Sequence, residues 1–335
     1  MNYKKSKQVL KEIKKANRIL LNCHRGPDAD SIGSALAMYR VLKLMDKVVD
    51  IFCPTDGLYD GVSFLEDYDL IKSGVDFSKI DFSEYDLFIS LDSSTWDQAT
   101  NMDRIPENIN LVVIDHHESN FGYGNVNLID EKATSVGEML LRIFLDWKVS
   151  IDKHIATSLM SAIIGDTGAF RYPGSTEKTF KAASYLMEKG ADKDKIIHHI
   201  YRSEDFNLLK FCGEALRTMK LDEENRFVWS AISYEVFEEF GKPANAKNAA
   251  VNCFAQLVAG TDFGFMAVEE KKDKLSVSFR SRTGYDVSKI ALELGGGGHV
   301  YASGASIEGL SFDESVEKLL RTVRKYAKKF QEKNK

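Results

Sequence analysis

The sequence predicts an α/β protein with a doubly wound, mainly parallel sheet in a first domain and a mixed sheet in a smaller second α/β domain. In the first half of the chain, continuous apolar runs alternate with helical periodicity, which is typical of strands covered on both faces. In the last third, apolar and polar residues alternate along the predicted strands, as they do in a mixed sheet. The length of 335 residues is enough for two hydrophobic cores.

The first half contains four predicted strands and several helices. The strands are predicted at residues 18–24, 48–54, 87–92 and 111–117. The helices are predicted at the amphipathic N-terminus and at residues 29–45, 134–147, 154–166 and 177–190. Together these elements form the predicted first domain, residues 1–190. A helical linker is predicted over residues 191–220.

The second domain is predicted over residues 221–335. Its strands are predicted at residues 226–233, 263–270 and 274–282, with KKDK as a hairpin turn between the last two. Its helices are predicted at residues 246–260, 286–295 and 311–333.

Composition restricts the class of function. The formal net charge is −5, which argues against a protein that coats long nucleic acid but is compatible with a small anionic substrate. No apolar run reaches the ~20 residues of a membrane span, and the N-terminus lacks a signal-peptide pattern, so a cytoplasmic location is predicted. The scattered cysteines predict buried free thiols.

Polar residues with metal-binding chemistry follow the predicted strands. They are His24, Asp28 and Asp30 after the first strand, Asp92 after the third, Asp115, His116 and His117 after the fourth, and Asp166 at a helix end. An aspartate after a strand is by itself most often a helix cap or a turn residue. The coincidence at one edge of a parallel sheet predicts a shared ligand site instead.

Two imidazoles and four carboxylates are typical of a divalent metal site. Carboxylates favour hard cations, and the imidazoles shift the preference from Mg²⁺ toward Mn²⁺, whereas zinc would more often recruit cysteine. Six ligands are too many for one catalytic ion with open positions. Two Mn²⁺ ions ~3.5–4 Å apart and bridged by one aspartate are therefore predicted, with Mg²⁺ or Co²⁺ as substitutes. This arrangement suits phosphoester hydrolysis.

The second domain contains features that suit an anionic ligand. Its glycine run at residues 295–298 is followed by His299, and such backbone can approach a phosphate closely, although a helix cap and turn is the alternative interpretation. Arg280 and Arg282 alternate along a predicted strand, so both are expected on one face, where guanidinium groups suit a terminal phosphate.

Several motifs in order resemble those of the DHH phosphoesterase superfamily. They are HRGPDADSIGS, LDSS, DHH and GDTGAF, followed by VSFRSR and GGGGHVYASG, which resemble a DHHA1 domain. On a chain of this length, the combination is similar to the NrnA-type enzymes of bacteria and archaea. Those enzymes degrade RNA of a few nucleotides, and many also dephosphorylate 3′-phosphoadenosine 5′-phosphate (pAp).

The resemblance implies roles for the matching positions. It implies that His24, Asp28 and Asp92 hold one ion, that Asp30, Asp92, His116 and Asp166 hold the other, and that Asp92 is the bridge. His117 would contact the scissile phosphate and protonate the leaving oxygen, and Asp115 would orient the imidazoles. The active site would lie in the cleft between the domains. The substrate's far end would contact Arg280, Arg282, Gly297, Gly298 and His299, and Arg171 would be a further contact.

The leading interpretation is a Mn²⁺-dependent hydrolase of short single-stranded RNA or dinucleotides, and of pAp, without a membrane partner. The resemblance is also compatible with a homodimer. One alternative is a phosphodiesterase of cyclic dinucleotides or of their linear product pApA. Another is a family-II pyrophosphatase, against which the glycine-histidine motif argues. A third is a nucleotide-binding regulator without activity, against which the intact ligand set argues.

Overall fold

The computed structural model describes residues 3–107, 109–172, 174–298 and 300–333. The chain divides into two compact units, Met1–Ser203 and Glu204–Lys335, and each is described by itself. The division falls inside the segment predicted as a helical linker, residues 191–220.

The first unit is built on a parallel sheet. Its strands are β1 (Arg18–Asn22), β2 (Val48–Phe52), β3 (Ile71–Lys72), β4 (Leu87–Leu91), β5 (Leu111–Asp115) and β6 (Val126–Ile129). Their order is β3-β2-β1-β4-β5-β6, and all neighbours are parallel. The strand order reverses between β1 and β4, which is where ligands bind in open sheets of this kind. The predicted fold class is confirmed.

Helices cover this sheet. They are α1 (Ser6–Lys15), α2 (Ala29–Leu44), α3 (Trp96–Thr100), α4 (Val136–Asp146), α5 (Lys153–Asp166), α6 (Glu177–Glu188) and α7 (Lys193–Tyr201). Every residue of β4 and β5 is buried, because helices and loops cover both faces. The continuous apolar runs of these strands reflect that burial.

Two glycines allow α2 and α5 to approach each other closely. A Cβ atom at Gly33 would lie 2.5 Å from the carbonyl oxygen of Ser158, and one at Gly165 would lie 2.6 Å from the Cβ atom of Ala29. Larger residues at either position would force the helices apart. The contact thereby fixes the start of α2 against the end of α5, and both ends contain predicted ligands.

The second unit contains a mixed sheet. Its elements are α8 (Phe206–Thr218), β7 (Lys220–Asp222), β8 (Phe227–Ile232), α9 (Tyr234–Glu239), α10 (Ala246–Asn252), β9 (Phe263–Lys271), β10 (Lys274–Ser281), α11 (Ser288–Glu293), β11 (Gly297–Gly298), β12 (Ala302–Glu308) and α12 (Phe312–Lys333). The strand order is β11-β12-β10-β9-β8-β7, with β8 parallel to β9 and the other pairs antiparallel.

The predicted hairpin connects β9 and β10. The helix predicted at 246–260 is shorter in the structure, where α10 ends at Asn252. The cysteines are free; Cys23, Cys53 and Cys212 are buried, but Cys253 is partly exposed, which differs from the prediction. Within the described residues, no helix has the length and apolar character needed to cross a membrane.

Candidate metal centre

The predicted ligands of the first unit come together at the carboxyl end of the sheet. They are delivered by different elements: His24 follows β1, Asp92 follows β4, His116 and His117 follow β5, Asp28 and Asp30 begin α2, and Asp166 ends α5. Among the described residues there are three groups of three ligand atoms, and within each group the atoms lie within 4.8 Å of one another. The first group is His24, Asp28 and Asp92, and the second is Asp30, His116 and Asp166. The third group, Asp92, His116 and His117, shares a residue with each of the other two.

Asp92 belongs to the first group and also faces the second. Its Oδ2 atom is 3.4 Å from His24 Nε2, and its Oδ1 atom is 3.5 Å from His116 Nε2. His116 Nε2 is also 3.2 Å from Asp166 Oδ2, and His24 Nε2 is 3.8 Å from Asp28 Oδ1. Each oxygen of Asp92 therefore faces the imidazole of a different group, which is the geometry expected of a bridging carboxylate.

The backbone of Asp92 is in the left-handed region, as are those of Asp46, Asp67 and Asp273. Its φ angle is +52°, and its amide donates a hydrogen bond to the carbonyl oxygen of Ile114. Aspartate and asparagine adopt this conformation at a lower cost than most residues with a Cβ atom. The residue is 2% exposed, so its carboxylate is held under the site.

The charges of the site perturb one another. Burial lowers the pKa of His24, but the adjacent carboxylates, Asp92 first, outweigh burial and raise it to about 10. Burial by itself would raise the pKa of Asp92, but the adjacent imidazoles of His116 and His24 hold it below its usual range. The pKa of Asp30 lies well above its usual range because of burial and the neighbouring carboxylates. The carboxylates of this buried site thus repel one another, and a bound cation would relieve that repulsion.

The Asp30 carboxylate is oriented by the start of α4. Its Oδ2 atom accepts a hydrogen bond from the amide of Val136 at 2.7 Å, and its Oδ1 atom accepts from the amide of Gly137 at 2.9 Å. The hydroxyl of Ser34 donates to the same Oδ1 atom at 3.0 Å. Asp28 acts as the N-cap of α2, as the simpler interpretation of an aspartate after a strand anticipates, and also lies within the first ligand group.

The two imidazoles of the DHH motif have different supports. The Asp115 Oδ1 atom is 2.8 Å from His117 Nδ1 and accepts from the backbone amide of His116 at 2.9 Å. The ring of His116 is instead placed by the carbonyl oxygen of Ala133, 3.3 Å from its Nδ1 atom. Asp115 therefore orients one of the two rings and holds the backbone of the other.

Two buried asparagines were not identified from the sequence. The Asn120 amide donates to Asp115 Oδ2 at 2.7 Å and to the carbonyl oxygen of Ser93 at 3.1 Å. Asn22, within β1, donates to the Ser93 hydroxyl at 3.1 Å and accepts from the Leu91 amide. Both stabilise the loop that contains Asp92. Asn22 had one sequence signal, because a polar residue in an otherwise apolar strand is costly unless it forms hydrogen bonds.

Some of the residues predicted to contact the substrate line a cavity of about 750 Å³ in the second unit. Arg280, Gly297 and Gly298 line it, together with Lys247 and Asn248 from α10. The Arg280 guanidinium donates to Asn252 Oδ1 and to the carbonyl oxygen of Phe279, both at 2.9 Å.

The remaining predicted contacts lie elsewhere. Arg282 follows the end of β10, does not line this cavity, and donates to the carbonyl oxygen of Thr261 at 3.1 Å. Arg171, in the first unit, donates to the carbonyl oxygen of Gly168 at 2.6 Å and lies over the Tyr201 ring. His299 lies outside the described residues.

The residues of the first unit suit divalent cations. The buried Oδ1 atom of Asp92 has no hydrogen-bond partner among the residues that the structure describes, although leaving such an atom unpaired is costly. A cation ligated there would satisfy it. Carboxylates mixed with imidazoles favour Mn²⁺ or a similar ion over Ca²⁺. The donor set therefore fits the predicted metal.

Comparison with known proteins agrees with this geometry. A family model described as "DHH family, N-terminal domain" matches residues 18–163, and a "DHHA1 domain" model matches residues 234–329. The bifunctional oligoribonuclease and PAP phosphatase NrnA of Bacillus subtilis (strain 168) is 29% identical, over 92% of this chain and 94% of its own length. The cyclic-di-AMP phosphodiesterase PdeA of Listeria monocytogenes is 25% identical over 96% of this chain, which spans 50% of that protein.

A solved structure supports the fold. The exopolyphosphatase-related protein of Bacteroides fragilis superposes with a TM-score of 0.90 at 23% identity, covering 97% of both chains. The two matched domains occur in the order that the motifs indicated, and together they account for most of both structural units. The chain therefore belongs to the DHH family, with a DHH domain followed by a DHHA1 domain, and is a metal-dependent hydrolase.

Proposed function

We propose that this protein hydrolyses short oligoribonucleotides to mononucleotides, and pAp to AMP, with two Mn²⁺ ions held in the first unit. The observation that carries the proposal is the position of Asp92, whose two oxygens face the imidazoles of two different ligand groups. The similarity to the NrnA relative covers 94% of that protein's length, which supports this substrate class.

The proposed ligands follow the first two groups, with Asp92 added to the second as the bridge. His24, Asp28 and Asp92 would hold one ion, and Asp30, Asp92, His116 and Asp166 would hold the second. Two such ions, when bound, lower the pKa of water and neutralise charge on the phosphoryl oxygens.

His117 is the proposed proton donor to the leaving oxygen. Its Nδ1 atom faces the Asp115 carboxylate at 2.8 Å, and it is partly exposed, in contrast to the fully buried Asp115. Burial lowers the pKa of His117, but the neighbouring carboxylates, Asp115 first, outweigh burial and raise it. The direction of this shift favours the protonated form, from which an imidazole can act as a general acid.

The second unit is proposed to bind the substrate's far phosphate in the cavity beside the glycine run. Arg280 supplies the charge, and Asn252 limits the rotation of its guanidinium group. Backbone at Gly297 and Gly298 can approach an anion closely because no side chain intervenes.

Replacement of Arg280 by alanine is expected to raise KM for pApA ~10- to 100-fold and to change kcat less than ~3-fold, because a charged hydrogen bond to a remote phosphate contributes equally to ground and transition states. Steady-state kinetics with Mn²⁺ would test this. Arg217→Ala, an exposed arginine on α8 outside the cavity, is the control. An unchanged KM for Arg280→Ala would contradict the phosphate site.

A second candidate function is hydrolysis of cyclic di-AMP. It is favoured by the similarity to PdeA over 96% of this chain. Both activities need the same metal centre, so the substrate and not the mechanism distinguishes them.

A substrate panel of pApA, a 5-mer RNA, pAp and cyclic di-AMP with Mn²⁺ would test the proposal. We expect turnover of pApA and the 5-mer to exceed that of cyclic di-AMP. Dominant turnover of cyclic di-AMP would support the second candidate. Absence of activity toward the whole panel and toward bis-p-nitrophenyl phosphate would instead indicate a binding protein.

A further inference from the structure

Two phenylalanines of the first unit stack on each other in a place where the core does not require both. The ring centroids of Phe170 and Phe180 are 5.1 Å apart, with an angle of 24° between the planes. Phe170 packs partly against the core, whereas Phe180 is 54% exposed. Phe180 is therefore an exposed ring supported from one side.

The sequence of α6 makes this exposure unusual. Its buried residues are Thr179, Ala182, Ala183 and Leu186. The neighbours of Phe180 away from those positions, Lys178 and Lys181, are charged and exposed, as expected for the outer face of a surface helix. A large aromatic residue among them contributes little to the core.

Hydrogen bonds connect α6 to the metal centre. His116 is placed by the carbonyl oxygen of Ala133, and the next residue, Thr134, donates to Glu138 Oε2 at 2.6 Å. The hydroxyl of Thr179 donates to the same Glu138 oxygen at 2.9 Å. The residue before the exposed ring is thus linked through one buried carboxylate to the support of a proposed ligand.

The other ring is linked to the metal centre through the chain itself. Directly after Asp166 and Thr167, three consecutive residues have left-handed φ angles: Gly168 at +56°, Ala169 at +57° and Phe170 at +65°. The Phe170 amide donates to the Thr167 hydroxyl at 3.0 Å. Residues with a Cβ atom adopt this conformation only at a cost, so the turn that carries Phe170 back to α6 is a specific feature.

Both connections end at the metal centre: the hydrogen bonds from α6 lead to His116, and the chain from Phe170 leads to Asp166. His116 Nε2 and Asp166 Oδ2 lie 3.2 Å apart. We propose that Phe180, backed by Phe170, is a platform on which a nucleobase of the substrate stacks while its phosphate lies at the metal centre. This inference rests on the proposed function and specifies its substrate: the scissile phosphate belongs to a nucleoside with a base, and stacking would favour such substrates over inorganic polyphosphates, which have no base.

Stacking on an exposed aromatic ring suits a hydrolase of mixed sequences. Every base has a flat π face, so a ring platform binds all of them without reading their hydrogen-bonding edges. Loss of such a contact typically weakens binding ~5- to 150-fold.

The kinetic test compares Phe180→Leu, Phe180→Trp and the wild type on pApA and on the same dinucleotide without the base at the hydrolysed end. Phe180→Leu is expected to raise KM for pApA ~5- to 150-fold and to change kcat less than ~3-fold, and its KM for the abasic substrate should equal that of the wild type. Phe180→Trp, which keeps an aromatic ring, should retain the wild-type KM for pApA. The matched control is Phe206→Leu, which makes the same change at a phenylalanine that is 73% exposed in the second unit. Equal effects on both substrates, or none, would overturn the platform.

A binding measurement is independent of catalysis. AMP should quench the fluorescence of the tryptophan introduced by Phe180→Trp, and ribose 5-phosphate should not. The fluorescence of the wild type, which has three native tryptophans, is the background to subtract. Absence of quenching would overturn the platform. If the wild type hydrolyses nucleotides but Phe180→Leu has no effect, the platform alone fails. If the wild type neither hydrolyses nor binds nucleotides, the proposed function fails with it.

Discussion

Replacement of Asp92 by alanine is expected to reduce kcat for pApA at least ~10³-fold, because it removes an oxygen from each of the two ligand groups at once. No other residue is a proposed ligand of both ions. Single-turnover rates with saturating Mn²⁺ would measure the loss, and far-UV circular dichroism would confirm that the protein remains folded.

Because Asp92 is buried with a φ angle of +52°, alanine there could also disturb the backbone. Asp92→Asn separates the two effects, since asparagine has the same shape and tolerates left-handed backbone. Asp97→Asn, a half-exposed residue on α3, is the matched control and should retain activity. A residual rate above one tenth of wild type in Asp92→Asn would contradict the bridging role.

Removal of metal by a chelator is expected to abolish hydrolysis, and Mn²⁺ is expected to restore it and to stabilise the first unit. At a free Mn²⁺ concentration ~100 times the Kd, each bound ion adds about 2.7 kcal/mol to the free energy of unfolding. For a unit of this size the expected increase in Tm is roughly 5–10 °C for each ion. Differential scanning calorimetry with and without Mn²⁺ would measure the increase.

The stoichiometry of binding decides between one ion and two. Isothermal titration with Mn²⁺ should give two ions per chain for the wild type and a weakened, incomplete isotherm for Asp92→Asn. A single ion per chain, or a Tm that Mn²⁺ does not change, would argue against the paired site.

The position of the candidate centre could be predicted because each ligand follows an apolar element. β1, β4 and β5 are fully buried or nearly so, and their continuous apolar runs mark both the strands and the points where they end. In a parallel sheet those ends share one edge, so the topology converts spacing along the chain into proximity. Which of the assembled residues bind metal stays a prediction.

Elements without such a signal could not be predicted. β3 and β11 are two residues long, and β6 has an alternating burial pattern over only four residues. Such strands exist because a neighbouring strand supplies hydrogen bonds, which is information that lies elsewhere in the chain. The role of Asn120 could not be predicted for the same reason, because its partners Asp115 and Ser93 become neighbours only after folding.

The separate positions of Arg280 and Arg282 show a limit of periodicity. Residues two apart share a face only while the strand continues. β10 ends at Ser281, so Arg282 lies just beyond the strand, and its guanidinium donates to the carbonyl oxygen of Thr261, which precedes β9. Arg280, inside the strand, lines the cavity.

The close contact between α2 and α5 has a consequence for which ions the protein accepts. Gly165 adjoins the helix end at Asp166, and its neighbour across the contact, Ala29, adjoins Asp30. The helix contact therefore fixes the backbone positions from which these two carboxylates extend. A site held at a fixed size would select by ionic radius, so we expect ions with bonds near 2.1 Å to bind more tightly than Ca²⁺, which needs bonds of 2.3–2.6 Å and more oxygens.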